Sequence, residues 1–211
     1  MRLFVITTET FFEGEAEAVN MLFENGLETL HLRKPFATQH ETEDFIRLIN
    51  RDYHSRIVLH DHYDLAVLLN LKGIHLNRRN PETTTNNNMF LRKRILSVSR
   101  SCHSLEDIIA SSGCDYVFLS PVFDSISKTG YKQGFTMEQL GDAQKRKLIN
   151  GNVIALGGIT ASNIPVAHRY GFGGVAVLGS LWSDFASDRN KSELLKRFSE
   201  LKMACETHLS C

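Results

Sequence analysis

The chain has 211 residues, with 24 Lys and Arg against 24 Asp and Glu. That balance leaves no net field to steer it towards nucleic acid or an anionic membrane surface, so neither is expected as a partner. Apolar residues at 42%, with 13 Phe among them, can fill a core, which excludes disorder for the bulk of the chain. No apolar run approaches the ~20 residues of a membrane span.

The first segment, Leu3–Thr7, reads as a strand and carries no signal-peptide pattern. A helix follows, with Ala16, Val19, Asn20 and Phe23 expected on one face. Next come a strand at Thr29–Arg33, a helix filled by Phe45, Ile46, Leu48 and Ile49, and strands at Arg56–His60 and Gly73–Leu76. Asn80 before Pro81 reads as a cap followed by a first-turn proline. The tract Thr83–Asn88 is a poor helix former, so a short or mobile helix is expected there. Strand Arg94–Ser99 leads to a helix capped by Ser104 and carrying Leu105, Ile108 and Ile109. Strand Tyr116–Ser120 leads to a capping box of Thr136 and Gln139. Strands Asn152–Leu156 and Gly174–Leu178 precede a last helix, Glu193–Met203, with Leu194, Leu195, Phe198 and Leu201 inward.

Apolar strands alternating with helices imply a parallel sheet covered on its outer face. Eight such units in about 200 residues fit the α/β class as a (β/α)8 TIM barrel. A single domain over 1–211 is expected, with 183–211 the last helix and a C-terminal tail. The rival is an open doubly wound sheet, which normally has a Gly-rich turn after its first strand. Here that turn is Thr8-Glu9-Thr10-Phe11. Cys102, Cys114, Cys205 and Cys211 form no C-x-x-C pair. They point to a reduced, cytoplasmic protein in which Cys102 and Cys114 are small buried apolar side chains.

Barrels of this class build their sites from strand ends and the loops after them. Polar candidates there are His31, Arg33, His60, Asp61, His62, His75 and the run Ser99-Arg100-Ser101-Cys102-His103. Further along are Ser125, Ser127, Lys128, the pair Gly157-Gly158, and Gly179-Ser180. Glycines before helix starts let backbone N–H groups approach an anion, and loops after the seventh and eighth strands are frequent phosphate sites. Tight turns without a ligand explain the same glycines. Ser125, Ser127 and Lys128 suit a phosphate or pyrophosphate, or else a solvated loop. Arg33 in a barrel mouth needs an anionic partner, either Asp61 or a ligand oxyanion. His31, His60, His62 and His75 suggest zinc, or else hydrogen-bonded core histidines.

These loops resemble the thiamine phosphate synthase/TenI family of (β/α)8 barrels, over about residues 3–182. Leu30-His31-Leu32-Arg33 is similar to the family's Q-x-R-x-K. His60-Asp61-His62-Tyr63-Asp64-Leu65-Ala66 is similar to N-D-x-x-D-L-A, and Gly73-Ile74-His75-Leu76 to G-V-H-L. Val122 to Lys128 is similar to V-F-x-T-x-T-K, and Ala155-Leu156-Gly157-Gly158-Ile159 to A-I-G-G-I. The resemblance implies a transferase of thiamine biosynthesis. It joins hydroxymethylpyrimidine diphosphate to thiazole phosphate, releases pyrophosphate and uses Mg²⁺. It also implies small phosphorylated substrates, and leaves a homodimer open.

By position, Asp61 would be a Mg²⁺ ligand, and Arg33 and Lys128 would act on the pyrophosphate as the catalytic cations. Ser125, Ser127, Gly157, Gly158, Gly179 and Ser180 would hold the thiazole phosphate. His31, His60 and Ser101 fall at substrate-binding positions, with Ser101 lining the pyrimidine pocket. Several positions depart from the family. His31 replaces Gln, Pro35 replaces a Lys, His60 replaces Asn, and Asn80 stands where a second metal-binding Asp would fall. The run Arg100 to Ser104 is similar to R-S-x-H-S of the thiazole tautomerases in the same family. Their acid/base histidine would fall at Pro121, so His31 or His103 would have to supply that function. A tautomerase and a non-catalytic thiazole or thiamine phosphate-binding protein are the alternatives. A zinc-dependent sugar-phosphate epimerase is a remoter one.

Overall fold

Short apolar runs fold into strands buried on both faces, as in Tyr116–Leu119, where all four side chains are buried. The computed structural model describes residues 1–80, 97–124, 134–183 and 185–207. Its strands are β1 (Arg2–Ile6), β2 (Thr29–Leu32), β3 (Ile57–Leu59), β4 (Gly73–Leu76), β5 (Ser97–Cys102), β6 (Tyr116–Leu119), β7 (Val153–Leu156) and β8 (Gly174–Val177). They hydrogen-bond in sequence order into a closed barrel, the expected (β/α)8 architecture. The register is parallel, with His31 opposite Val58, Leu59 opposite Ile74, and Ala155 opposite both Leu119 and Val175.

Two compact units make up the chain: Val5–Ser99, and Met1–Phe4 with Arg100–Cys211. In the first, the helix Glu15–Glu24 buries Ala18, Val19, Leu22 and Phe23. That face is rotated from the expected one, and Ala16 and Asn20 lie at its margin. The cause is Glu15, which is buried because its carboxylate pairs with Lys34. Helix Gln39–Arg47 starts at a capping box of Thr38 and Glu41 and ends before Leu48, which is 68% exposed instead of inward. The 3-10 turn Arg51–Arg56 is fastened by His54, whose Nε2 reaches the carbonyls of Ile46 and Ile49 at 3.1 and 3.2 Å.

In the second unit, Phe4 packs on Tyr116 and Phe118, with centroids 5.1 and 5.7 Å away. Ser104 caps Leu105–Ala110 and Thr136 caps Met137–Lys145, both through full capping boxes. Helix Lys191–Glu206 buries Leu194, Phe198, Leu201 and Cys205, while Leu195 lies at the edge of that face. Cys102 and Cys205 are buried free thiols, and Cys114 is half-buried.

Strand β5 runs on to Cys102, so Arg100 and Ser101 belong to the strand instead of the loop after it. The Pro81 cap, the Thr83–Asn88 tract, residues 94–96, Ser125, Ser127, Lys128 and Cys211 lie outside the described residues. Among the described residues, no helix is long and apolar enough to cross a membrane.

Candidate active site at the strand ends

In the unit Val5–Ser99, β2 stops at Leu32 and hands on two adjacent cations that differ in setting. Arg33 is pinned by Thr7: its N–H donates to the Thr7 hydroxyl at 2.9 Å, and that hydroxyl lies 3.2 Å from the Arg33 carbonyl. Its guanidinium meets Glu9 at 2.8 Å, in a partly exposed pair. The expected partner, Asp61, is engaged elsewhere. Lys34, which the sequence reading passed over, is buried instead. Its ammonium sits 2.7 Å from both oxygens of Glu15, with side chains 1% and 0% exposed, and 4.7 Å from the Phe11 ring centroid. Burial pushes the Glu15 carboxyl up and the Lys34 ammonium down from their ordinary values, while their attraction opposes both shifts.

Beyond β3, Asp61 is clasped from two sides. Arg79 Nη2 lies 3.1 Å from each carboxylate oxygen, and Asn80 Nδ2 donates to Oδ1 at 2.8 Å. Asp61 and Asn80, the two positions the resemblance gave to a metal, are therefore neighbours. One carboxylate and one amide oxygen, the latter after an amide flip, with phosphate oxygens added, fit Mg²⁺ once Arg79 moves aside.

His31, His60 and His75 are buried together. His31 Nδ1 is 3.0 Å from His60 Nε2, the His60 and His75 rings stack at 4.2 Å, and His75 Nδ1 meets Ser99 Oγ at 2.9 Å. Burial holds all three imidazoles well below their usual range, His75 at about 3. Arg33 and Arg79 reinforce this for His60. His31, expected at a substrate-binding position, has no exposed surface. His62 stands apart, its Nε2 on the Ala37 carbonyl at 2.8 Å.

In the unit with Arg100–Cys211, the strand ends carry glycine and hydroxyl groups. Gly158 has φ +64°, and a Cβ there would fall 2.1 Å from the Asp124 carbonyl oxygen. Gly157 has φ +96°, and a Cβ there would fall 2.9 Å from Pro121 Cα. The pair is thus required by the packing of its own loop. Asn163 shapes that loop further, donating to the Gly158 carbonyl at 2.8 Å and accepting from the Thr160 N–H at 2.9 Å. Gly179 and Ser180 open the helix Gly179–Trp182, and Ser180 Oγ is buried without a hydrogen-bond partner. Ser101 is half-buried on β5. His103 Nδ1 reaches the Ser120 carbonyl at 3.1 Å and its hydroxyl at 3.3 Å, one residue before Pro121.

A family model described as thiamine monophosphate synthase matches residues 3–181. The chain belongs to this family. It is similar to a thiamine phosphate pyrophosphorylase from Bacteroides thetaiotaomicron, with a TM-score of 0.85 and 41% identity over 99% of each chain. It is 29% identical to a putative thiamine-phosphate synthase of Geobacter sulfurreducens over 75% of each chain. A thiamine-phosphate synthase of Klebsiella pneumoniae is 28% identical, with 77% of this chain and 78% of that one covered. Thiamine monophosphate synthases are transferases, and the strand-end residues described above lie within the span that the family model covers.

Sequence reasoning named Ser99 at the end of the fifth strand but missed Glu15, Lys34 and Arg79. Arg79 carried a signal, since it directly precedes the metal-position Asn80. Glu15 and Lys34 carried none, because their pairing is made across 19 residues.

Proposed function

We propose that the protein is a thiamine phosphate synthase. It takes hydroxymethylpyrimidine diphosphate and thiazole phosphate and releases pyrophosphate. The observation that carries this reading is the likeness to a thiamine phosphate pyrophosphorylase along nearly the whole of both chains. The juxtaposition of Asp61 and Asn80 supports it, as does the unpartnered Ser180 hydroxyl.

The bond from the pyrimidine methylene to the diphosphate oxygen breaks as the thiazole nitrogen bonds to that methylene. Positive charge develops on the methylene and negative charge on the leaving pyrophosphate. Arg33 and Lys128 stabilise the leaving charge, which grows in the transition state. Arg33 does so by exchanging its Glu9 partner for a phosphate oxygen. Ser180, Ser125, Ser127 and the glycine loops orient the thiazole phosphate, and Ser101 faces the pyrimidine. Mg²⁺, held by Asp61 with Asn80, supplies further charge neutralisation when bound. The buried imidazoles take no part in proton transfer, since the reaction needs none from them.

The test supplies both substrates with Mg²⁺ to the purified protein and follows thiamine phosphate and pyrophosphate. Formation of both in equal amounts is expected, and their absence with intact substrate binding would reduce the protein to a binding module. A second reading, thiazole tautomerase, is favoured by one contact. His103 stands against Ser120, one residue from the position where the resemblance placed the missing acid/base. Isomerisation of the thiazole tautomer alone, abolished in His103→Ala, would select it.

A further inference from the structure

We propose that His31, His60 and His75 form a binding site for one borderline transition-metal dication, of which Zn²⁺ is the type. The site is separate from the Asp61–Asn80 pair, and the inference does not depend on the synthase reading.

Three features point there. First, each imidazole comes from a different consecutive strand or strand end. Leu59 pairs with Ile74, so the residues that follow them, His60 and His75, stand side by side, while His31 approaches from β2. One ligand nitrogen from each lies within 4.8 Å of the others, and among the described residues this is the one such group. Zinc–nitrogen bonds of about 2.0–2.1 Å require tetrahedral ligand nitrogens roughly 3.4 Å apart. Closing on a metal thus asks the His31–His60 pair to open by a few tenths of an ångström and the third ring, within 4.8 Å of the others, to slide in by up to about 1.4 Å. The stacked His60 and His75 rings, 23° from parallel, allow that slide.

Second, the protonation pattern suits a metal. Ser99 Oγ donates its one proton to the Ile74 carbonyl at 3.2 Å, so it accepts from His75 Nδ1–H. His75 therefore carries its lone pair on Nε2. This is the outer-shell arrangement that fixes the tautomer of metal-bound histidines. In the His31–His60 contact one of the two facing nitrogens carries a proton; metal binding moves that proton to the other nitrogen of the same ring, so both rings stay neutral and both facing lone pairs turn to the dication.

Third, the donor set selects the kind of ion. Neutral imidazoles select zinc-like ions over Mg²⁺, which prefers oxygen. No carboxylate joins the set among the described residues, so the ion keeps its double charge. Its fourth ligand is then water or an anion, and Arg33 and Arg79, whose fields reach His60, favour the anion.

The experiment strips the full chain with a chelator and titrates it with Co²⁺ alone, then Zn²⁺ alone. One Co²⁺ per chain, with the intense visible bands of four-coordinate cobalt, is expected, displaced by one equivalent of Zn²⁺. His60→Gln and His75→Gln should abolish the bands with the melting curve retained. Ser99→Ala, which leaves all three imidazoles in place, should weaken binding by ~10–100-fold. If the histidine variants do not fold, the Ser99→Ala shift decides. An absence of stoichiometric cobalt bands overturns the proposal. So does binding that is unchanged in His60→Gln or Ser99→Ala, which would belong to surface imidazoles such as His40 and His168.

Discussion

At the strand ends of Val5–Ser99 the charged side chains come already paired: Arg33 with Glu9, Lys34 with Glu15, Asp61 with Arg79. At those of the unit with Arg100–Cys211 they come as glycine backbone and hydroxyls, with Ser180 Oγ unpartnered. A paired charge meets an incoming ion by exchange, so its affinity is set by what it gives up. A glycine and hydroxyl loop is shaped in advance and gives up little. Under the proposed function, the first arrangement suits groups that must respond to a changing charge, and the second suits a phosphate that does not react.

The pairs themselves are unequal, and Lys34→Ala should show this most strongly. Leaving Glu15 buried without its partner is expected to cost about 3–5 kcal/mol in urea denaturation. Arg33→Ala, at the exposed Glu9 pair, should cost no more than about 1 kcal/mol. Equal losses would erase the distinction between a structural pair and an exchangeable one.

Lys128→Ala tests responsive against preformed. Under the proposed function it should lower the single-turnover rate at saturating substrates by ~10²–10³. Ser180→Ala should instead weaken thiazole phosphate binding, by on the order of tenfold, with the saturated rate little changed. An unchanged rate for Lys128→Ala in an active enzyme would remove its assigned role.

Gly158→Ala probes how far the loop is fixed in advance. Its left-handed backbone alone is worth about 1–3 kcal/mol, and the new Cβ would press on the Asp124 carbonyl. A drop in melting temperature without ligand is expected. Phosphate affinity lost at full stability would show that the glycine is there for the ligand only.

The smallest effect expected is at Asp61. Arg79→Ala removes the competing guanidinium and should tighten Mg²⁺ binding several-fold by calorimetry, with Asn80→Asp adding to it. Weaker binding in Arg79→Ala would mean that Arg79 supports the metal instead of displacing it.

The barrel was legible from the sequence because alternation and turn chemistry are local. Gly73–Leu76 was read to the residue, and the Thr136 capping box followed from a three-residue spacing. Misreadings fell where tertiary partners override local pattern. Glu15 is buried by a partner 19 residues away, Lys34, which no local pattern shows, and the buried face of the first helix starts from it instead of from Ala16. Strand β5 was read as ending at Ser99 because Arg100 and Ser101 are polar, yet the ladder carries both. The histidines were visible as a set of four. Only folding shows that His62 turns to a backbone carbonyl while the other three converge.

The Thr7 clamp on Arg33 separates two properties that usually change together. One hydroxyl holds the arginine backbone at both its N–H and its carbonyl, while the guanidinium rests on Glu9. Glu9 can therefore vary without moving the arginine, and each substitution resets only how readily that cation is surrendered. Selection, natural or in a library randomised at Glu9, has here a dial for anion affinity that leaves the scaffold alone.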